Sequence, residues 1–148
     1  MKKLIAFIFA LLCAVVLFVG CENKSMYQPT EIQNVSIRIS NISSTGATVI
    51  IKDTNEESFT YGEWYKIETE IDGKWYEVKT VTNNYGFNDP GHCTDKNDEV
   101  KFQIDWELIY GELPAGKYRL WKEVIQPCLN GANVQYISVT FDIIEAKQ

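Results

Sequence analysis

The stretch Glu63–Val78, EWYKIETEIDGKWYEV, constrains the fold more than any other. Two alternating arms flank Asp72-Gly73, and each carries a Trp-Tyr pair. Asp-Gly suits a two-residue hairpin turn, because both central residues there take positive φ. With that turn Ile71 lies opposite Lys74, Thr69 opposite Tyr76, Ile67 opposite Val78 and Tyr65 opposite Thr80. One face then gathers Tyr65, Ile67, Ile71, Tyr76 and Val78. The other gathers Trp64, Lys66, Glu68, Glu70, Trp75, Glu77, Lys79 and Val81. A three-residue loop sets Ile67 against Glu77, and a one-residue slip turns every side chain to the opposite face. The pattern favours the two-residue turn, with tyrosines inward and tryptophans outward.

The same alternation recurs along the chain. Val35–Ile39, Ala47–Asp53, Phe59–Ile71, Lys74–Val81, Val100–Trp106, Lys117–Ile125 and Gln135–Ile144 read as strands divided by turn residues. Trp106–Tyr110 reads as a single helical turn, and Thr82–Glu99 as a long polar loop. No ten-residue window carries a helical period with caps. Seven short strands with turns about every ten residues predict an all-β antiparallel sandwich.

The N-terminus predicts location. Lys2 and Lys3 precede an apolar run, Leu4–Val19, that is short for a membrane span and has the length of a signal-peptide core. It ends in LFVGC, which resembles the bacterial lipobox, although Phe18 stands where Leu is usual. The resemblance implies cleavage before Cys21 and a diacylglycerol group on its sulfur. Residues 1–20 are then a signal peptide and 21–31 a lipidated tether, with one domain over 32–148. It also implies a bacterial cell envelope, with the domain outside the cytoplasm and the membrane as partner through Cys21. The competing readings are a plain secretory signal and an uncleaved anchor. Without Lys2 and Lys3, 12 basic side chains face 20 acidic ones, a formal charge of −8. That charge argues against nucleic acid and against adhesion to anionic lipid heads.

TYGEWYKIETEIDGKWYEV, YGFNDPG and LPAGKYRLWKEV, followed by a last alternating strand, are similar to the bacterial immunoglobulin-like domains of envelope lipoproteins. The resemblance covers roughly Ile32–Ile144. It implies an immunoglobulin-like antiparallel β-sandwich of about seven strands with no shared catalytic residues. Tyr118 stands where such sandwiches tie a tyrosine hydroxyl back to nearby backbone.

Once Cys13 and Cys21 are assigned to the signal and the lipid, Cys93 and Cys128 remain. They form one disulfide, worth roughly 3–4 kcal/mol in the chain-entropy model, or stay free thiols. The implied topology places their loops at one end of the sandwich, which favours the bond. The same end holds Tyr85, Phe87, Asn88 and Asp89.

Trp121 alternates out of phase with Tyr118 and Leu120. In the implied topology its strand lies beside the first hairpin arm, so Trp64, Trp75 and Trp121 share an outer face. The charge density of that face predicts solvation. The three indoles, with Tyr85 and Phe87 at the loop end, are the candidate ligand contacts, suited to a protein or glycan partner. The opposing reading covers the indoles with Lys and Glu stems or with the N-terminal segment.

Little else suggests chemistry. His92 is the only histidine and reads as a loop residue without an orienting partner. Asp95–Glu99 lacks calcium-loop spacing, and no zinc motif or phosphate loop is present. The expected function is non-enzymatic binding, without metal or cofactor. The alternatives are a protease inhibitor that presents Thr82–Glu99, and a carbohydrate-binding module.

Overall fold

The computed structural model describes residues 23–57, 59–87, 91–93, 99–128 and 131–145, the side chains of Pro127, Cys128 and Ala132 excepted. The signal segment, Cys21, Asn88 and Asp89 lie outside the described residues. In chain order the elements are β1 (Val35–Ser40), β2 (Gly46–Asp53), β3 (Thr60–Ile71), β4 (Lys74–Glu77), β5 (His92–Cys93), β6 (Glu99–Asp105), α1 (Glu107–Tyr110), β7 (Gly116–Cys128) and β8 (Gly131–Ile143). One sheet has the order β1-β2-β6. The other has the order β4-β3-β7-β8, with β5 also against β3. All pairs are antiparallel. The seven expected strands are present. The eighth is the two-residue β5, inside the stretch read as a polar loop.

The hairpin has the expected register, with Ile71 opposite Lys74 and Thr69 opposite Tyr76. Asp72 and Gly73 take φ of 51° and 73°, the positive values that this turn needs. The second arm is shorter than expected. Val78 N–H still donates to Ile67 O at 3.1 Å, but Val81 N–H donates to Ile109 O in α1 at 2.8 Å. The chain has left β3 by then, and the expected Tyr65–Thr80 pair is not made. β5 takes the vacated edge, with Thr60 opposite Cys93.

Alternation places Val49, Ile51, Tyr61, Tyr65, Ile67, Phe102, Ile104, Leu120, Val124, Ile137 and Phe141 between the sheets. Trp106 closes one end, fully buried. Its Nε1–H donates to Ser44 O at 2.8 Å, so a large apolar body is buried without an orphan donor. Tyr118 O–H donates to Pro114 O at 2.8 Å, the backbone tie that its position implied.

Two tyrosines join the sheets through their hydroxyls. Tyr65 O–H donates to Asp105 O at 3.1 Å, and Tyr61 O–H to Asp53 Oδ2 at 2.8 Å. Asp53 is fully buried. It also accepts from Asn55 N–H, Asn55 Nδ2 and Phe59 N–H, each at 2.9 Å. Burial alone pushes its carboxyl pKa up. The donors of Asn55, Phe59 and Tyr61 outweigh that and hold it below the usual value. Burial, and then the Asp53 charge, push the Tyr61 phenol far up, so it stays a donor.

Lys122 departs from the pattern. It lies opposite Tyr65 and is fully buried on the core face. Its Nζ donates to Gly62 O at 2.5 Å and stands 3.8 Å from the Phe102 ring centre. The register of β3 against β7 shifts between Tyr61 and Tyr65. Gly62, the acceptor, lies within that irregularity.

Asp53→Asn is expected to lower stability at neutral pH by roughly 1.5–3 kcal/mol, the worth of charge-assisted bonds. The folded pKa lies below the unfolded value of about 3.9. The carboxylate's contribution is therefore present above that value and lost as pH falls through the folded one. Urea unfolding of both proteins from pH 7 downward should show the difference shrinking below about pH 4.

Candidate functional site

The outer face of the β4-β3-β7-β8 sheet carries Trp75 on β4, Trp64, Lys66 and Glu68 on β3, Arg119 and Trp121 on β7, and Tyr136 on β8. Glu68 lies opposite Arg119 and Lys66 opposite Trp121. The three indoles do share one face, but it is not an open one. The Arg119 guanidinium stands 4.4 Å from the Trp75 ring centre and 4.5 Å from that of Trp121, a cation between two π-faces. Its Nη2 and Nε reach Glu68 Oε2 at 2.6 and 3.0 Å. Lys66 pairs with Glu77, the diagonal that the hairpin register predicts.

The chain's own N-terminal segment covers this face. Asn23 to Thr30 crosses the sheet from the β4 edge to β8. Ser25 N–H donates to Trp75 O at 3.1 Å, Glu77 N–H to Asn23 O at 3.0 Å, and Thr30 N–H to Tyr136 O at 2.8 Å. Its side chains alternate. Ser25 and Tyr27 are half-buried against the sheet, while Lys24, Met26 and Gln28 are exposed. The Tyr27 ring lies 4.8 Å from Tyr136, 5.6 Å from Trp121 and 6.0 Å from Trp64, with Lys66 Nζ 5.0 Å from its centre. Arg119 also reaches Ser25 Oγ at 3.4 Å.

Two expectations are therefore corrected, and for the indoles the opposing reading, in which the N-terminal segment covers them, is the one met. The outer face is not solvated, since Trp121 and Glu68 are 0% exposed. The segment read as a tether is docked from Asn23 onward, because an aromatic and a small polar residue at alternate positions match the sheet beneath. The indoles offer no bare platform, since Arg119 fills the space between two of them and Tyr27 lies against Trp64 and Trp121. Of the three, Trp64 and Trp75 stay half-buried.

The loop-end candidates divide. Phe87 packs edge-on against Tyr65 at 5.1 Å and belongs to the margin of the core. Tyr85 is exposed and lies 6.0 Å from Phe87. The expected Cys93–Cys128 disulfide is not formed, and Cys93 carries a free, exposed thiol. Cys93 pairs beside Thr60, which on its other side faces Ile125. Two strand spacings, about 9.6 Å, thus separate Cys93 from β7, more than the ~7 Å between Cα atoms that a disulfide spans. His92 does have an oriented partner, since its Nε2 is 2.8 Å from Glu63 Oε1. Among the described residues no three His, Cys, Asp or Glu side chains converge to hold a metal.

Sequence reasoning missed Tyr27, Arg119 and Glu68. The only signal was the alternation in Lys24-Ser25-Met26-Tyr27-Gln28, a run too short and polar to read as a strand. One further feature stands out beneath the covered face. Glu68 Oε1 and Trp121 Nε1 are buried and make no hydrogen bond.

Arg119→Ala leaves the buried Glu68 carboxylate without its counter-ion. It should destabilise the fold by about 3–5 kcal/mol, read from urea midpoints. Arg38→Ala, at the exposed Arg38–Glu99 pair, should leave the midpoint nearly unchanged.

A family model described as a bacterial Ig-like domain matches residues 30–142. The match begins at Thr30, where the covering segment ends, and runs to Asp142 in β8. No match was found among curated proteins or among solved structures. With two antiparallel sheets, alternation into one core and a matched span covering most of its length, the chain belongs to the bacterial Ig-like domain family.

Proposed function

We propose that this chain is a lipid-anchored protein of the bacterial cell envelope, whose Ig-like domain acts by binding a partner and not by turnover. The observation that carries the reading is the junction at Cys21. A basic start and an apolar run of signal-peptide length end in a lipobox-like LFVGC. Among the described residues, backbone bonding to the sheet begins two residues later, at Asn23. Acyl chains on Cys21 would supply membrane affinity in proportion to their buried methylenes. Only Cys21 and Glu22 separate that sulfur from the docked segment, and two residues reach at most about 7 Å. The domain is then held against the bilayer surface instead of on a long leash.

The binding reading draws on family membership. His92, with its Glu63 partner, has no third group to complete a catalytic set among the described residues. Nothing observed favours the protease-inhibitor reading, and Tyr27 occupies the surface that the glycan reading requires.

Intact mass spectrometry of the protein from bacterial membranes is expected to show a chain that starts at Cys21 and carries diacylglycerol. Cys21→Ala should shift it to the soluble fraction. A processed chain without lipid, or an uncleaved one, overturns the anchor.

A further inference from the structure

We propose that the outer face of the β4-β3-β7-β8 sheet is a groove for an extended peptide, and that the chain's own residues 23–30 are its resident occupant. A partner protein's segment, with an aromatic residue in the place of Tyr27 and a small polar one in that of Ser25, takes it over by exchange. The inference deepens the binding reading above and rests on it.

Four observations support the groove. The occupant already binds as an added strand does, through backbone bonds at the β4 edge and side chains that alternate into and away from the sheet. The Tyr27 seat is a formed pocket, built from Trp64, Trp121, Tyr136 and the Lys66 ammonium. The occupant lies almost wholly outside the family match, which starts at Thr30 and leaves residues 23–29 beyond it. It is also an imperfect fit. Trp121 Nε1, a donor, and Glu68 Oε1, an acceptor, are both fully buried and unpartnered on the face it covers. Such atoms cost free energy that a better-matched segment recovers. The Ser25 hydroxyl bonds to neither, whereas an amide side chain both donates and accepts.

Exchange is held back by proximity. A segment tethered by a few residues acts at an effective concentration of roughly mM. A free peptide competes poorly until the resident is released.

The test uses detergent-solubilised full-length protein and a fluorescent peptide, ENKSMYQPTE, copied from residues 22–31. Ser25→Pro removes the Ser25 N–H bond to Trp75 together with the Ser25 Oγ contact of Arg119. Tyr27→Ala empties the aromatic seat. Either variant is expected to bind the peptide at least tenfold more tightly than the parent. A peptide with Ala in place of the tyrosine should lose that affinity. If both variants fail to fold, the parent titrated to mM peptide should still show a tyrosine-dependent shift in indole fluorescence.

Folded variants that bind no better than the parent overturn the proposal, as does equal binding of the alanine peptide. Soluble peptidoglycan fragments that bind the opened variants in place of the peptide also overturn it. Absence of lipid on Cys21 leaves these results untouched, and absence of peptide binding leaves the anchor untouched.

Discussion

The structure depends on the two-residue turn at Asp72-Gly73. Its positive φ values allow only one register of β3 against β4. That register sends Tyr65 and Ile67 into the core and Trp64, Lys66 and Glu68 to the outer face. β7 then docks along β3 with Arg119 beside Glu68 and Trp121 beside Lys66. Since a strand's side chains alternate with a period of two, a slip of one residue would bury Lys66 and Glu68 between the sheets and turn the core outward.

The outer face carries charge and aromatic surface in nearly equal measure. A charged pair such as Glu68–Arg119 would be weak if solvated. Here the indoles of Trp75 and Trp121 flank the guanidinium, and the Asn23–Thr30 segment excludes water from the carboxylate. Glu68 then has no exposed surface. The consequence is a surface that looks solvated by composition and is buried in fact. Its burial depends on eight residues that lie largely outside the Ig-like unit.

Buried polar groups also join the two sheets. Asp53 gathers four donors from Asn55, Phe59 and Tyr61, and Tyr65 reaches the Asp105 carbonyl. Each tie crosses or closes the sandwich where apolar contact alone would let the sheets slide. Lys122, beneath the irregular stretch of β3, finds the Gly62 carbonyl and the Phe102 ring. A lysine in a strand reads as solvent-facing, but Lys122 is in phase with Tyr118, Leu120 and Val124 on the core face, and the Gly62 carbonyl at the irregular stretch of β3 gives its ammonium a partner.

The sequence by itself determined the strands, the hairpin register, the Tyr118 backbone tie and the arrangement of three tryptophans on one face. The strands and the hairpin register follow from a period of two and from local turn chemistry, which neighbouring residues encode, while the Tyr118 tie and the shared tryptophan face were implied by the resemblance to Ig-like domains. Tertiary structure alone decided whether that face is open. Ser25 and Tyr27 meet Arg119, Trp64 and Trp121 across 37 to 94 positions, and no local pattern marks such an encounter. The same holds for Cys93, whose loop the topology placed at the right end of the sandwich. The unforeseen β5 pairing put it on the far side of β3 from its expected partner. Local periodicity states which side of a strand a residue takes. What finally lies against that side is settled by segments distant in the chain.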